Sequence, residues 1–212
     1  NSSTPSIHTP SHRPILVVDV NGVICETKKA LQDFYELAGA RPEDVELRAY
    51  LKEHLHEFRE FIELLQPTQG VFDALRELRG EGVTVIGCTD RNDAEVEARW
   101  EWLAYQTEHG TRDALTLLDY IIGTNRRPKA DVLSERFGTV DAIVDDTWAK
   151  IKRVDSRRKF LLGEPIDRSL PTSYLPSWMP TRQCNPVNKI LRAISVQPPQ
   201  ARYELQTASY SA

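Results

Sequence analysis

Apolar residues in this chain gather in short unbroken runs separated by longer stretches of helical spacing. The first run, PILVVDV, has four consecutive apolar residues before Asp19. A run of that length without polar alternation predicts a strand buried on both faces of a parallel sheet. Similar runs follow at VTVIGCT (83–89), DYIIG (119–123), DAIVDD (141–146) and KFLLG (159–163). Between them the period changes. Leu51, Leu55, Phe58, Ile62 and Leu65 form one stripe at helical spacing, and Pro42, Glu43 and Asp44 suit the first turn of that helix. A shorter helix over Lys29–Leu37 precedes it and ends at Gly39. Val71, Leu75 and Leu78 mark another before Gly80, with further helices over Asp93–Glu108 and 129–138. Strands alternating with helices predict an α/β architecture, a Rossmann-like parallel sheet covered by helices on both faces.

Three divisions follow. Residues 1–14 (NSSTPSIHTPSHRP) are Ser/Thr/Pro-rich and read as an N-terminal arm. Residues 15–163 hold the strand–helix core, with a small helical insertion at about 26–66. Residues 164–212 are a Pro-rich tail in which seven of the 13 prolines fall between Pro165 and Pro199 and only VNKILRAISV (187–196) reads as helix. Arm and tail are the segments expected to pack along the domain or onto a protein partner.

Composition narrows the classes. A formal net charge of -4 disfavours generic nucleic-acid binding. The basic cluster Lys150, Lys152, Arg153, Arg157, Arg158 and Lys159 reads as a solvated helix face, and leaves a local contact to a phosphorylated ligand or nucleic acid open. No apolar run reaches the roughly 20 residues of a membrane span. Cys25, Cys88 and Cys184 are odd in number and widely spaced, which predicts free thiols, a reducing cytoplasmic setting and no zinc site. His54 and His56 sit two apart, a poor spacing for a metal pair on a helix, and Trp100 and Trp102 read as packing residues.

In open parallel sheets ligands bind beyond the carboxyl ends of the strands. The polar residues there are Asp19-Val20-Asn21-Gly22-Val23 after the first strand, Thr89 at the end of the second, Lys129 opening a helix, and Asp145-Asp146 ending a later strand. Each alone has a plain reading. Asn-Gly is a two-residue hairpin signal, Asp145-Asp146 could cap a helix near Thr147, and Lys129 and Thr89 are ordinary at such positions. Their joint order resembles the haloacid dehalogenase (HAD) superfamily, whose first motif reads D-x-D-G-(T/V), followed by Thr or Ser, Lys and an acidic pair. PTQGVFDALRELRGEGVTVIGCT is also similar to that family's lead into its second motif, and the likeness spans roughly residues 14–163.

The resemblance implies a Mg²⁺-dependent phosphatase acting on a phosphorylated small molecule or macromolecule. Asp19 would be the nucleophile, Asp19, Asp145 and the Asn21 main-chain carbonyl the metal ligands, and Asp146 an outer partner. Thr89 and Lys129 would hold the phosphoryl oxygens, with Arg91 and Arg126 as further ligand contacts. The insertion would form a partial cap. Asn21 departs from the pattern, standing where the family's phosphatases carry the Asp that protonates the leaving group and activates water. An amide does neither at neutral pH, and such help is worth about 10²–10⁴-fold. The expectation is therefore a phosphohydrolase or phosphotransferase of impaired turnover. The alternative is an inactive domain with a structural or protein-interaction role in a larger assembly.

Overall fold

The computed structural model describes residues 13–164 and 167–195. Six strands form one sheet in the order β3-β2-β1-β4-β5-β6, and every pairing is parallel. The strands are β1 (Ile15–Asp19), β2 (Thr84–Thr89), β3 (Tyr120–Gly123), β4 (Val140–Asp145), β5 (Ser156–Leu162) and β6 (Ser173–Leu175). The fold is the Rossmann-like α/β sheet that the apolar runs predict. Alternate residues of each strand enter opposite layers. Leu16 and Val18 join one core with Val85, Ala142 and Val144, while Val17, Ile86, Cys88 and Ile143 join the other. Both faces being dry is why these strands read as continuous apolar runs.

The helices are α1 (Thr27–Leu37), α2 (Val45–Glu53), α3 (Arg59–Leu64), α4 (Val71–Gly80), α5 (Asp93–Gln106), α6 (Thr111–Leu117), α7 (Lys129–Phe137), α8 (Trp148–Ile151) and α9 (Pro186–Ser195). The single long helix expected after Pro42 is instead α2, a 3-10 turn at Leu55–Glu57, and α3. Phe58, whose backbone is extended, separates the last two. The stripe still does its work, because Leu51, Leu55 and Leu65 are buried with Phe61. Phe34 of α1 packs against Phe58 and Phe61 at ring distances of 5.3 and 5.8 Å. Three short pieces wrap this aromatic knot where one straight helix would pass it by. Neither Gly nor Pro marks the break, so periodicity alone could not place it.

The chain beyond residue 163 packs into the domain. Its β6 extends the sheet beside β5, and Val187 and Ile190 of α9 enter the core. Trp178 is buried, and its indole N–H donates to the Val23 carbonyl at 3.0 Å, tying the tail to the loop after β1. The rest of the described tail is irregular. Residues 1–12 and 196–212 lie outside the described residues, and with them most of the assigned arm and the end of the tail.

The basic cluster is not one helix face. Lys150 lies in α8, Lys152 and Arg153 in the following turn, and Arg157, Arg158 and Lys159 in β5. Arg157 lies 3.3 Å from Asp141, and Lys159 sits 5.9 Å from the Trp148 ring. Among the described residues, no helix is long and apolar enough to cross a membrane. The three cysteines are free, with Cys25 and Cys88 buried.

Candidate active site

The sheet order reverses direction at β1, so the β2 and β4 crossovers leave on opposite faces and open a crevice beyond the strand ends. Asp19 ends β1 and Asp145 ends the adjacent β4, and both are buried. Carboxylate oxygens of Asp19, Asp145 and the exposed Asp146 all lie within 4.8 Å of one another. Lys129, the first residue of α7, is itself buried and reaches between the two strand ends. Its ammonium pairs with Asp19 and, at 2.6 Å, with Asp145.

One ammonium does not balance two buried carboxylates. Burial raises the Asp19 carboxyl from 3.8 to about 7, against the lowering pull of Lys129, and burial likewise raises that of Asp145. Burial also opposes the charge on Lys129, but the facing carboxylates outweigh it and hold its pKa above the usual lysine range. Asp19 Oδ2 is buried with no hydrogen-bond partner, and the Lys150 ammonium stands 3.8 Å from it. An all-oxygen donor set with surplus negative charge and an orphaned carboxylate oxygen fits a hard divalent cation such as Mg²⁺.

The loop after β1 is a tight turn rather than a hairpin. Ile24 and Cys25 N–H groups both donate to the Val20 carbonyl, and Gly22 N–H donates to that of Cys25. Gly22 has φ +88°, and a Cβ there would lie 2.4 Å from Asp146 Oδ2. Only glycine lets this loop close against the third carboxylate. Asp145 Oδ1 accepts from Thr147 N–H at 2.9 Å. Thr147 is itself the cap residue of α8 and no side chain caps that helix, so the capping role that sequence allowed is not made.

Asn21 faces the other side of the crevice. Its Nδ2 donates to Thr89 Oγ1 at 3.2 Å. Its Oδ1 accepts from Arg99 Nε at 3.3 Å, from Arg99 Nη2 at 3.0 Å and from the Thr27 hydroxyl at 3.3 Å. Those three donors fix which end of the amide points where. Thr89 also accepts from Arg91 N–H at 3.4 Å, so its own proton is left for another acceptor.

Arg99 and its partner Glu95 are functional candidates that strand-end reasoning missed. Both are buried on α5 and paired at 2.6 Å. Their only sequence signal is a Glu–Arg spacing of four on a helix, which normally marks a surface pair. Arg91 and Arg126 are not among the partners of Asp19. They line a cleft of about 230 Å³ with Glu53, His56 and Glu95, where Arg126 pairs with Glu53 of the insertion. His56 Nδ1 stands 3.6 Å from Glu95. Trp102 has the packing role expected of it, buried and donating to the Leu65 carbonyl at 2.9 Å.

The fold is similar to that of solved structures of HAD-superfamily proteins. Phosphoserine phosphatase in its apo form aligns over 85% of this chain and 98% of its own, with a TM-score of 0.52 and 14% identity. CbbY from Rhodobacter sphaeroides, in complex with phosphate, aligns over 79% of this chain and 95% of its own, with a TM-score of 0.51 and 14% identity. A HAD-superfamily hydrolase of subfamily IA from Geobacter sulfurreducens aligns over 76% and 90%, with a TM-score of 0.50 and 16% identity. The chain has the HAD-like fold. At these identities the likeness establishes the fold and not the reaction. No protein-family model matches the sequence, and no curated protein matches it.

Proposed function

We propose that this HAD-like domain is a Mg²⁺-dependent phosphomonoester phosphohydrolase or phosphotransferase of impaired turnover, with Asp19 as nucleophile. The observation that carries the reading is the convergence of Asp19, Asp145 and Asp146 oxygens around an under-neutralised, buried carboxylate beside Lys129. Asp19, Asp145 and the Asn21 main-chain carbonyl would hold the ion, with Asp146 as an outer partner, and the ion would supply charge neutralisation to the phosphoryl oxygens. An Asp19 oxygen attacks phosphorus, the bond to the leaving oxygen breaks, and an acyl-phosphate forms on the side chain. Lys129 neutralises the entering charge, and the Thr89 hydroxyl donates its free proton to a phosphoryl oxygen.

Asn21 limits the cycle. Its side-chain carbonyl is occupied by Arg99 and Thr27, and its side-chain N–H by Thr89. It neither protonates a leaving group nor takes a proton from water. The test is hydrolysis of an aryl phosphate with Mg²⁺. Wild type should turn over slowly, Asp19→Asn should abolish turnover, and Asn21→Asp should raise it. A silent Asn21→Asp variant sinks the phosphatase reading. The second reading, a domain kept for structure or for protein interaction through its termini, draws on the same locked amide. A wild-type rate no higher than that of Asp19→Asn would favour it.

A further inference from the structure

The basic residues after β4 collect beside the phosphoryl site, at a cavity that shares Lys129 and Lys150 with it. A cavity of about 360 Å³ opens between the start of α7 and the end of α8, lined by Arg127, Lys129, Lys150, Lys152 and Arg153. Two acids, Asp90 and Asp131, share the lining. Asp90 is answered by Arg91 at 3.6 Å, and Arg127 by Glu135. Lys152 and Arg153 form no ion pair among the described residues, unlike Arg157 of the same cluster. Lys150 belongs to both places, since it lines the cavity while its ammonium stands 3.8 Å from Asp19.

The α7 N-terminus adds to this charge. Pro128, its cap residue, offers no side-chain acceptor to the first turn, while the Pro128 carbonyl accepts from Asp131 and Val132 N–H groups. The first turn of this nine-residue helix, which lines the cavity through Pro128, Lys129, Ala130 and Asp131, carries the positive end of the helix dipole. Unpaired cations around such a helix start, on a chain of net charge -4, are a local exception to the whole protein's field.

We infer that this cavity is a second anion site, which recognises a phosphate or carboxylate group at the far end of the substrate. The preferred substrate is then a phosphomonoester carrying another anionic group, with one end at Asp19 and the other on Lys152 and Arg153. Lys150 stands between the two. The inference rests on the phosphoryl-site reading above, and it adds the class of substrate. It also explains why the cluster is split. Arg157 and Lys159 serve β5 and its neighbours, while Lys150, Lys152 and Arg153 serve the cavity.

The test is calorimetric titration of the full chain, with Mg²⁺, using butyl phosphate and then ethanediol, butanediol and hexanediol bisphosphates. At least one bisphosphate should bind about tenfold or more tighter than butyl phosphate, a difference of about 1.4 kcal/mol. In Lys152→Ala/Arg153→Ala that advantage should vanish while butyl phosphate binding stays the same. These two side chains are exposed, and an unchanged thermal midpoint would show that the fold is intact. Inorganic phosphate separates the sources of the anion. Two phosphates per wild-type chain and one per double variant would show a site for a free anion, which overturns the linked-substrate form. If butyl phosphate binds and no bisphosphate gains over it, or if the double variant keeps the gain, the cavity inference fails alone. If butyl phosphate does not bind at all, the phosphoryl-site reading fails with it.

Discussion

Removing the Arg99 guanidinium, as in Arg99→Met, should be among the most damaging single changes in this protein. The side chain is 1% exposed, and its partner Glu95 is 4% exposed with 2.6 Å between them. Methionine fills much of the same volume but leaves Glu95 as a buried carboxylate facing only His56 at 3.6 Å. Breaking a buried pair from one side costs about 3–5 kcal/mol, because the remaining charge has neither water nor counter-ion. Asn21 Oδ1 loses both Arg99 donors as well and keeps the Thr27 hydroxyl and the Cys25 thiol. For a domain of this size each kcal/mol moves the thermal midpoint by about 2–4 °C, so the loss should be roughly 6–20 °C. Urea titration of wild type, Arg99→Met, Glu95→Leu and the double variant closes a cycle. The double variant should recover most of the loss, since replacing a whole buried pair by apolar groups is often nearly neutral. If Arg99→Met costs less than about 1 kcal/mol, or if the double variant is no better than the single one, the pair is not the buried ionic unit described here.

Three further outcomes follow from the same geometry. Burial lifts Asp19 from 3.8 to about 7 in the folded chain, so between about pH 4 and about pH 7 the native state holds more protons than the unfolded one. The contribution of Asp19 to the stability of the metal-free protein is full below that window and lost as pH rises through it. Chemical denaturation across the window should show this slope in wild type and a shallower one in Asp19→Asn, and equal slopes would refute it. Burial pushes the Cys88 thiol up to about 12 and raises that of Cys25 too, so iodoacetamide on native protein should label Cys184 alone by peptide mass spectrometry. In Asn21→Asp, Arg99 would hold the introduced carboxylate ionised, making it a base for water but a poor acid for the leaving group. The rate gain, within the usual factor of about 10²–10⁴, should therefore be larger for 4-nitrophenyl phosphate than for an alkyl phosphate; equal gains would count against the clamp.

What could be read from the chain divides along a physical line. The positions of Asp19, Thr89 and Asp145 were legible because a parallel sheet fixes where strand ends go and apolar runs reveal the strands. Lys129, which opens α7, was legible only through the order of motifs. The split of α2 and α3 was not, because its cause is the packing of Phe34 against Phe58 and Phe61, distant in sequence and invisible to any local period. The sixth strand, Ser173–Leu175, is three residues long inside a proline-rich stretch, and only its neighbour β5 gives it an edge to join. Lys150 was placed in a solvated face because charge runs usually are; the short α8 turns it toward Asp19 instead.

Asn21 joins the two halves of the site, and the contacts made there bear on why an amide can persist at that position. A carboxylate at residue 21 would compete with Glu95 for Arg99 and would take the Thr89 proton as an acceptor. The amide does the reverse: its carbonyl satisfies Arg99 without adding charge, and its N–H group leaves the Thr89 proton free to donate. A site already holding two buried carboxylates against one ammonium gains from a neutral group there, because a third buried charge would need its own compensation. On the proposed reading, an amide at residue 21, which offers no acid–base chemistry, would therefore favour holding an anionic phosphoryl group beside Lys129 and Thr89. Retention and release would then be separately encoded in this crevice, with the residues for retention the more complete set.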